Sequence, residues 1–173
     1  MRGVPSANPR MGRRRWPVEV RVASGSVSAV ADLDDDVRSR LAEREHRYTS
    51  GRRALVAALA RADGPVTLPD LLSLDPALAL SSTYRNLAVM EEAGVVRRLV
   101  HGSDHAHYEL AEELTRHHHH LICESCGSVS DVTFDERLER SLGRTFQRVA
   151  DETGFEPRHH AIDLFGRCRD CAA

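Results

Sequence analysis

The chain has 173 residues, 41% hydrophobic and 5% aromatic, which suits one ordinary domain or two small ones around a mainly aliphatic core. A formal net charge of -2 excludes a uniformly basic nucleic-acid coat but leaves room for a local basic face. All four cysteines fall in two Cys-x-x-Cys pairs, leaving no odd thiol, and no segment approaches the length of a membrane-spanning helix.

Residues 1–31 carry scattered Pro, Gly, Ser and Arg without a period and read as a disordered basic arm. Within it, Arg13, Arg14 and Arg15 either brush a phosphate backbone or stay solvated. The "MGRRRWP" stretch with "AVA" downstream invites a test for an export signal. Glu19 and Arg21 interrupt the apolar core such a signal needs, so the cytoplasm is expected. "DLDDDVRSRLAEREH" predicts a short helix whose leading acids suit the helix dipole, with Val37 and Leu41 turned inward.

"TSGRRALVAALARADG" predicts a second helix capped by Thr49, striped by Leu55, Val56 and Leu59 and stopped by Gly64. In "TLPDLLSL", Thr67 and Asp70 have capping-box spacing, with Leu71, Leu72 and Leu74 behind them. "SSTYRNLAVMEEAG" starts with serine caps, spaces Leu87 and Met90 three apart and closes at Gly94. "VVRRLVHGSDHAHYEL" then sets two β-rich runs around Gly102-Ser103-Asp104, a hairpin signal. Three short helices and a two-stranded wing make a winged helix-turn-helix from about residue 46 to 110, inside an N-terminal unit spanning 32–110.

Residues 111–173 read differently. "HHHHLICESCGSVSDV" gives strand, knuckle and strand, and "DERLERSLGRTFQRVADETG" is amphipathic, with Leu138, Leu142, Phe146 and Val149 on one side. "HHAIDLFGRC" is a third strand leading into the second knuckle. The fold class is therefore α+β: a winged helix followed by a small α/β unit closed by metal.

Cys123/Cys126 and Cys168/Cys171 can converge to offer zinc four thiolates, since zinc accepts tetrahedral sulfur readily and such closed sites contribute to folding. The alternative is a redox pair, which ordinarily sits ahead of a helix N-terminus that lowers the thiol pKa. Here each pair is followed by a turn or by the chain end, which favours metal.

Strand alternation divides the histidine run into His117 and His119 on one face and His118 and His120 on the other. The same alternation puts His105, His107 and Glu109 on one face of the wing strand. A histidine pair with Glu109, completed by Asp131, makes a nitrogen/oxygen site for a borderline divalent ion. On the other face, His117 and His119 can meet Glu139 and His160. A solvent-facing wing tip is the bland alternative for His105 and His107.

These motifs carry a resemblance. "SSTYRNL", "YEL", "HHHHLICESCG", "SDV" and "HHAIDLFGRCRDC", in this order, resemble the ferric uptake regulator (Fur) family over roughly residues 46–171. The resemblance implies a homodimer that represses genes of metal homeostasis by binding double-stranded DNA at a palindromic operator, and it implies no enzyme. It places a structural Zn2+ at Cys123, Cys126, Cys168 and Cys171. A second, regulatory divalent ion is placed at Glu109, His118, His120 and Asp131, and a further site at His117, His119, Glu139 and His160. Tyr84 and Arg85 match the base- and phosphate-contacting pair of the recognition helix, and Arg47 and Arg52 match basic positions around the preceding helix.

The chain departs from the family pattern near the sensing site. Many iron readers supply a histidine where this chain has Pro65-Val66-Thr67, and Arg97 stands about where zinc readers place an aspartate. His105, His107 or His46 are the candidate substitutes. With no spare cysteine the regulatory ion is expected to be Fe2+, with Zn2+, nickel, manganese and peroxide reading through bound iron as alternatives. A metal-dependent hydrolase with Glu109 as base, or a zinc store, are the rivals from other classes.

Overall fold

The computed structural model describes residues 27–100 and 106–172; the arginine cluster of the arm, the turn at residues 102–104 and His105 lie outside the described residues. In chain order the elements are α1 (Val27–Glu43), α2 (Ser50–Arg61), β1 (Val66–Thr67), α3 (Leu68–Leu74), α4 (Leu80–Glu92), β2 (Val96–Leu99) and β3 (His107–Leu110). A single 3-10 turn (Glu112–Leu114) leads to β4 (His119–Cys123), β5 (Val129–Val132), α5 (Glu136–Thr153), β6 (Asp163–Gly166) and α6 (Arg169–Ala172).

Two three-stranded sheets organise these elements. The first has the order β1-β3-β2, antiparallel throughout, and the second β5-β4-β6, with β4 antiparallel to β5 and parallel to β6. Leu55, Val56, Ala58 and Leu59 of α2 pack with Leu71, Leu87, Met90, Val95, Tyr108 and Leu110 to form the core over the first sheet, and Val37 and Leu41 of α1 join it. Each such side chain contributes roughly 1.5–3 kcal/mol by leaving water, so the helices are held by burial more than by propensity.

The ends of the elements follow local chemistry. Thr49 caps α2 by accepting the Arg52 backbone N–H at 3.4 Å. The Asp70 carboxylate accepts the Thr67 N–H at 3.0 Å, closing the expected capping box. Asp135 caps α5 through the Leu138 N–H at 2.9 Å, and Gly154 ends it in the left-handed region at φ 69.

Several expectations are corrected. The first helix starts at Val27, inside the stretch read as an arm, so its acids Asp32 to Asp36 lie mid-helix; there Asp34 accepts the Tyr48 hydroxyl at 2.7 Å and pairs with Arg53, tying α1 to α2. The serines do not cap α4. Extended Ala79 is its N-cap, while Ser81 and Ser82 are already helical and the Ser82 hydroxyl donates back to the Ala79 carbonyl at 3.0 Å. Of the four leucines in α3 only Leu71 is buried, because a seven-residue helix turns one narrow face inward. The wing gains β1 as a third strand, which makes β3 central and buries all four of its residues. The second knuckle winds into the short helix α6.

The apolar side of α5 is left largely uncovered. Leu138 and Val149 are 42% and 50% exposed, and Leu164 and Phe165 of β6 are 44% and 57% exposed. Among the described residues no helix is long and apolar enough to cross a membrane.

Candidate metal centres

The knuckles converge as the sequence suggests. Parallel pairing of β4 with β6 sets Cys123 opposite Gly166, and the turns after each strand bring Cys126, Cys168 and Cys171 alongside. All four thiols are free, and the Cys126 and Cys168 sulfurs stand 3.8 Å apart. A tetrahedron with zinc–sulfur bonds of about 2.3 Å has an edge of about 3.8 Å, which this pair matches, and all four sulfurs lie within 4.8 Å of one another. Burial disfavours a thiolate at Cys123, but N–H groups of Cys168, Cys126 and Ser125 outweigh it and bring its pKa down to about 6. Neighbouring sulfurs of Cys168 and Cys126 push Cys171 up to about 12, because crowded thiolates repel one another and hold their protons.

A second cluster bridges the two sheets. Glu109 of β3 directs Oε2 at His118 Nε2 (3.2 Å) and His120 Nε2 (3.1 Å), and Asp131 of β5 lies opposite His120 in register. One donor atom from each of Glu109, His118, His120 and Asp131 lies within 4.8 Å of all the others. The outer nitrogens are already engaged, His118 Nδ1 with the Arg116 carbonyl (2.8 Å) and His120 Nδ1 with Asp163 Oδ1 (3.2 Å). This turns both Nε2 atoms inward, as metal-binding histidines require. Glu109 Oε1 and Asp131 Oδ1 are buried without a hydrogen bond, an orphaned pair of acceptors that a cation would satisfy.

The electrostatics agree. Burial raises the Glu109 pKa, but hydrogen bonds from His118 and His120 dominate and hold it at about 2. Its carboxylate lifts His118 to about 9, while burial pushes Asp131 up. His120 is raised too, because Glu109 and Asp163 outweigh its desolvation. Protons thus stand where a divalent ion would bind.

The third cluster lies on the other side of β4. His117 Nε2 is 3.2 Å from His160 Nε2, His119 Nε2 is 3.0 Å from Glu139 Oε1, and Glu139 Oε2 is 3.5 Å from both His117 and His160. Phe134 and Phe146 pack against the His119 and His160 rings, at centroid distances of 4.4 and 4.9 Å. Burial and the nearby His117 lower the His160 pKa, which favours the neutral ring that binds metal. His119 Nδ1 is buried and unpartnered.

The division by strand alternation therefore holds, although β4 itself begins only at His119. His107 is not brought into any of the three clusters. It sits opposite Thr67 and Leu99, one strand repeat (about 7 Å) from Glu109. His46 also stays outside the clusters. Asp163, which orients His120, and Glu112, which hydrogen-bonds His117 Nδ1, were missed by sequence reasoning. Just ahead of Pro65-Val66-Thr67, Gly64 lies close to Asp131: a Cβ there would meet Oδ1 at 3.2 Å.

The sequence profile of the Ferric uptake regulator family matches residues 43–165. The chain belongs to the ferric uptake regulator family. Membership makes it a metal-responsive transcriptional regulator. The peroxide operon regulator of Bacillus subtilis is 29% identical over 130 residues, covering 73% of this chain and 84% of that protein. The Helicobacter pylori ferric uptake regulator, described with three functional metal binding sites, superposes with a TM-score of 0.62 at 20% identity, over 83% of this chain and 94% of the other. The Pseudomonas aeruginosa regulator with manganese gives 0.59 at 24% identity, over 76% and 96%. These structural likenesses establish the fold.

The residues matched to DNA-contacting positions lie on α4 and around α2. Tyr84 is 62% exposed beside Leu80 at 59%, which excludes a core role for the tyrosine. Arg85 is exposed and its Nε donates to the Ser81 carbonyl at 3.3 Å. Arg52 is braced by Asn86 Oδ1 (3.3 Å) and the Arg47 carbonyl, which ties α2 to α4.

Proposed function

We propose that this chain is a homodimeric, cytoplasmic repressor that binds a palindromic operator when a divalent ion fills the cluster of Glu109, His118, His120 and Asp131. The observation that carries this reading is the sharing of one Glu109 oxygen, on the wing sheet, by two histidines of the second sheet. An ion held there would bind one arrangement of the two units better than any other and so draw the population towards it. A coupling of 1–3 kcal/mol, roughly 5–150-fold in affinity, is the usual scale of such a switch.

The chain's own residues supply the rest. His118 and His120 give up protons to bind, Asp163 and the Arg116 carbonyl fix their rings, and Asp131 neutralises charge. When present, the ion supplies the electrostatic bridge between the sheets. Tyr84 would read a base edge while Arg85, Arg52 and Arg47 hold phosphates. The uncovered face of Leu138, Val149, Leu164 and Phe165 supports a second copy as partner. The cysteine cluster is read as structural zinc, and the third cluster as a further metal site.

A second reading, peroxide sensing through bound iron, is favoured by the peroxide-regulator relatives and by a donor set without thiolate. Duplexes selected by the iron-loaded protein from a random pool provide the test. Removing the labile ion with a weak chelator should weaken anisotropy-detected DNA binding at least about tenfold while the dimer persists. Equal affinity with and without the ion refutes the switch. Peroxide treatment separates the two readings, since only a peroxide sensor releases DNA irreversibly after it.

A further inference from the structure

We propose that Arg97 sets the number of oxygens, and hence the preference among ions, that the cluster bridging the sheets presents. The inference rests on reading Glu109, His118, His120 and Asp131 as the regulatory site. Arg97 of β2 lies directly opposite Glu109 of β3, and its guanidinium stands 3.8 Å from Glu109 Oε1. The other oxygen, Oε2, faces His118 and His120. The carboxylate is thus split between two tasks: Oε2 belongs to the cluster and Oε1 to the arginine.

Glu109 is 7% exposed, so Oε1 has no water to turn to and no hydrogen bond besides this long ion pair. With Arg97 in place the carboxylate offers one oxygen, and the cluster totals two imidazole nitrogens and one oxygen from each of two carboxylates. Four donors of that kind suit ions content with low coordination numbers, zinc above all, while manganese and ferrous ions prefer more oxygen. Released from Arg97, Glu109 would chelate through both oxygens and shift the preference.

The charge works in the same direction. Glu109, Asp131 and Asp163 are the carboxylates facing the two histidines, and Arg97 is the permanent cation beside them. A fixed positive charge one carboxylate away repels an incoming dication, strongly so in a half-buried site. Arg97 therefore raises the ion concentration at which the site fills. It is a positioning residue, acting through Glu109.

The test uses the full-length chain with zinc in its cysteine site and His160→Ala to remove a ligand of the third cluster. Co2+ is titrated in competition with a chelator, and its visible absorption, intense for four-coordinate and weak for higher-coordinate cobalt, is recorded. Arg97→Gln should bind Co2+ at least about tenfold more tightly, with weaker absorption per ion and a lower ratio of zinc to manganese affinity. Arg97→Lys, which keeps the charge, should keep an affinity close to the parent. Unchanged or weaker binding by Arg97→Gln, or identical behaviour of the two variants, overturns the proposal. If a His118→Ala/His120→Ala double variant binds Co2+ like the parent, the regulatory-site reading itself falls, and the role of Arg97 with it.

Discussion

The cysteine cluster and the cluster around Glu109 use the same strand, β4, and differ in what they join. The four cysteines all lie between residues 123 and 171, at the ends of paired strands of one sheet, so an ion there closes one unit on itself. The Glu109 cluster takes one carboxylate from the first sheet and three donors from around the second. An ion there would join the two sheets. On the proposed reading the first site serves folding and the second coupling.

The largest effect should come from breaking the first site. Structural zinc contributes about 10–16 kcal/mol in small zinc-binding peptides; in Cys123→Ser, loss of even a fraction of that should unfold the second unit, seen as lost zinc, lost dimer and aggregation on size exclusion. His118→Ala should keep its zinc and its melting transition near the parent's, but lose ion-dependent DNA binding. Matching behaviour of the two variants would erase the distinction between the sites.

Next in size is the ring support behind the second site. Asp163→Asn keeps the volume but removes the charge that orients His120 through Nδ1. Outer partners of this kind are typically worth about 10–100-fold in metal affinity, so a loss of about tenfold in Mn2+ or Co2+ titration is expected, with no change in cysteine-bound zinc.

Smaller, and opposite in sign between loaded and metal-free protein, is the effect of pH. His118 is held at about 9 by Glu109, whose own pKa of about 2 keeps it ionised. A raised histidine pKa stabilises the metal-free contact fully below the ordinary value of about 6.5 and loses that contribution as pH rises through about 9. Metal binding must displace the same proton, so ion affinity should rise over this window by up to about tenfold per pH unit per proton released. Metal-free melting temperature should fall over pH 6.5–9 while ion affinity climbs; a flat affinity profile would mean that His118 is no ligand.

The same contrast explains what the sequence disclosed. Cysteine pairs and alternating histidines declare themselves because few other roles place such residues at such spacing, and the structure groups them as the pattern suggests. Asp163 and Arg97 do not. A carboxylate on a strand looks like a solvated one until parallel pairing sets it opposite His120, and only antiparallel register sets Arg97 opposite Glu109. Strand β1 is two residues long, too short for any periodic signal, yet it buries His107 and removes it from the site. The capping of α4 was misplaced because Ser81 and Ser82 resemble caps in sequence while their backbone is already helical.

The most direct measurement is an anomalous difference map from crystals of the chain loaded with manganese or iron after zinc has filled the cysteines. A peak within about 2.0–2.3 Å of Glu109 Oε2, His118 Nε2, His120 Nε2 and an Asp131 oxygen is the expected result. A saturated crystal with density only at the cysteines, or with Glu109 turned away from both histidines, would contradict the claim that an ion joins the two units.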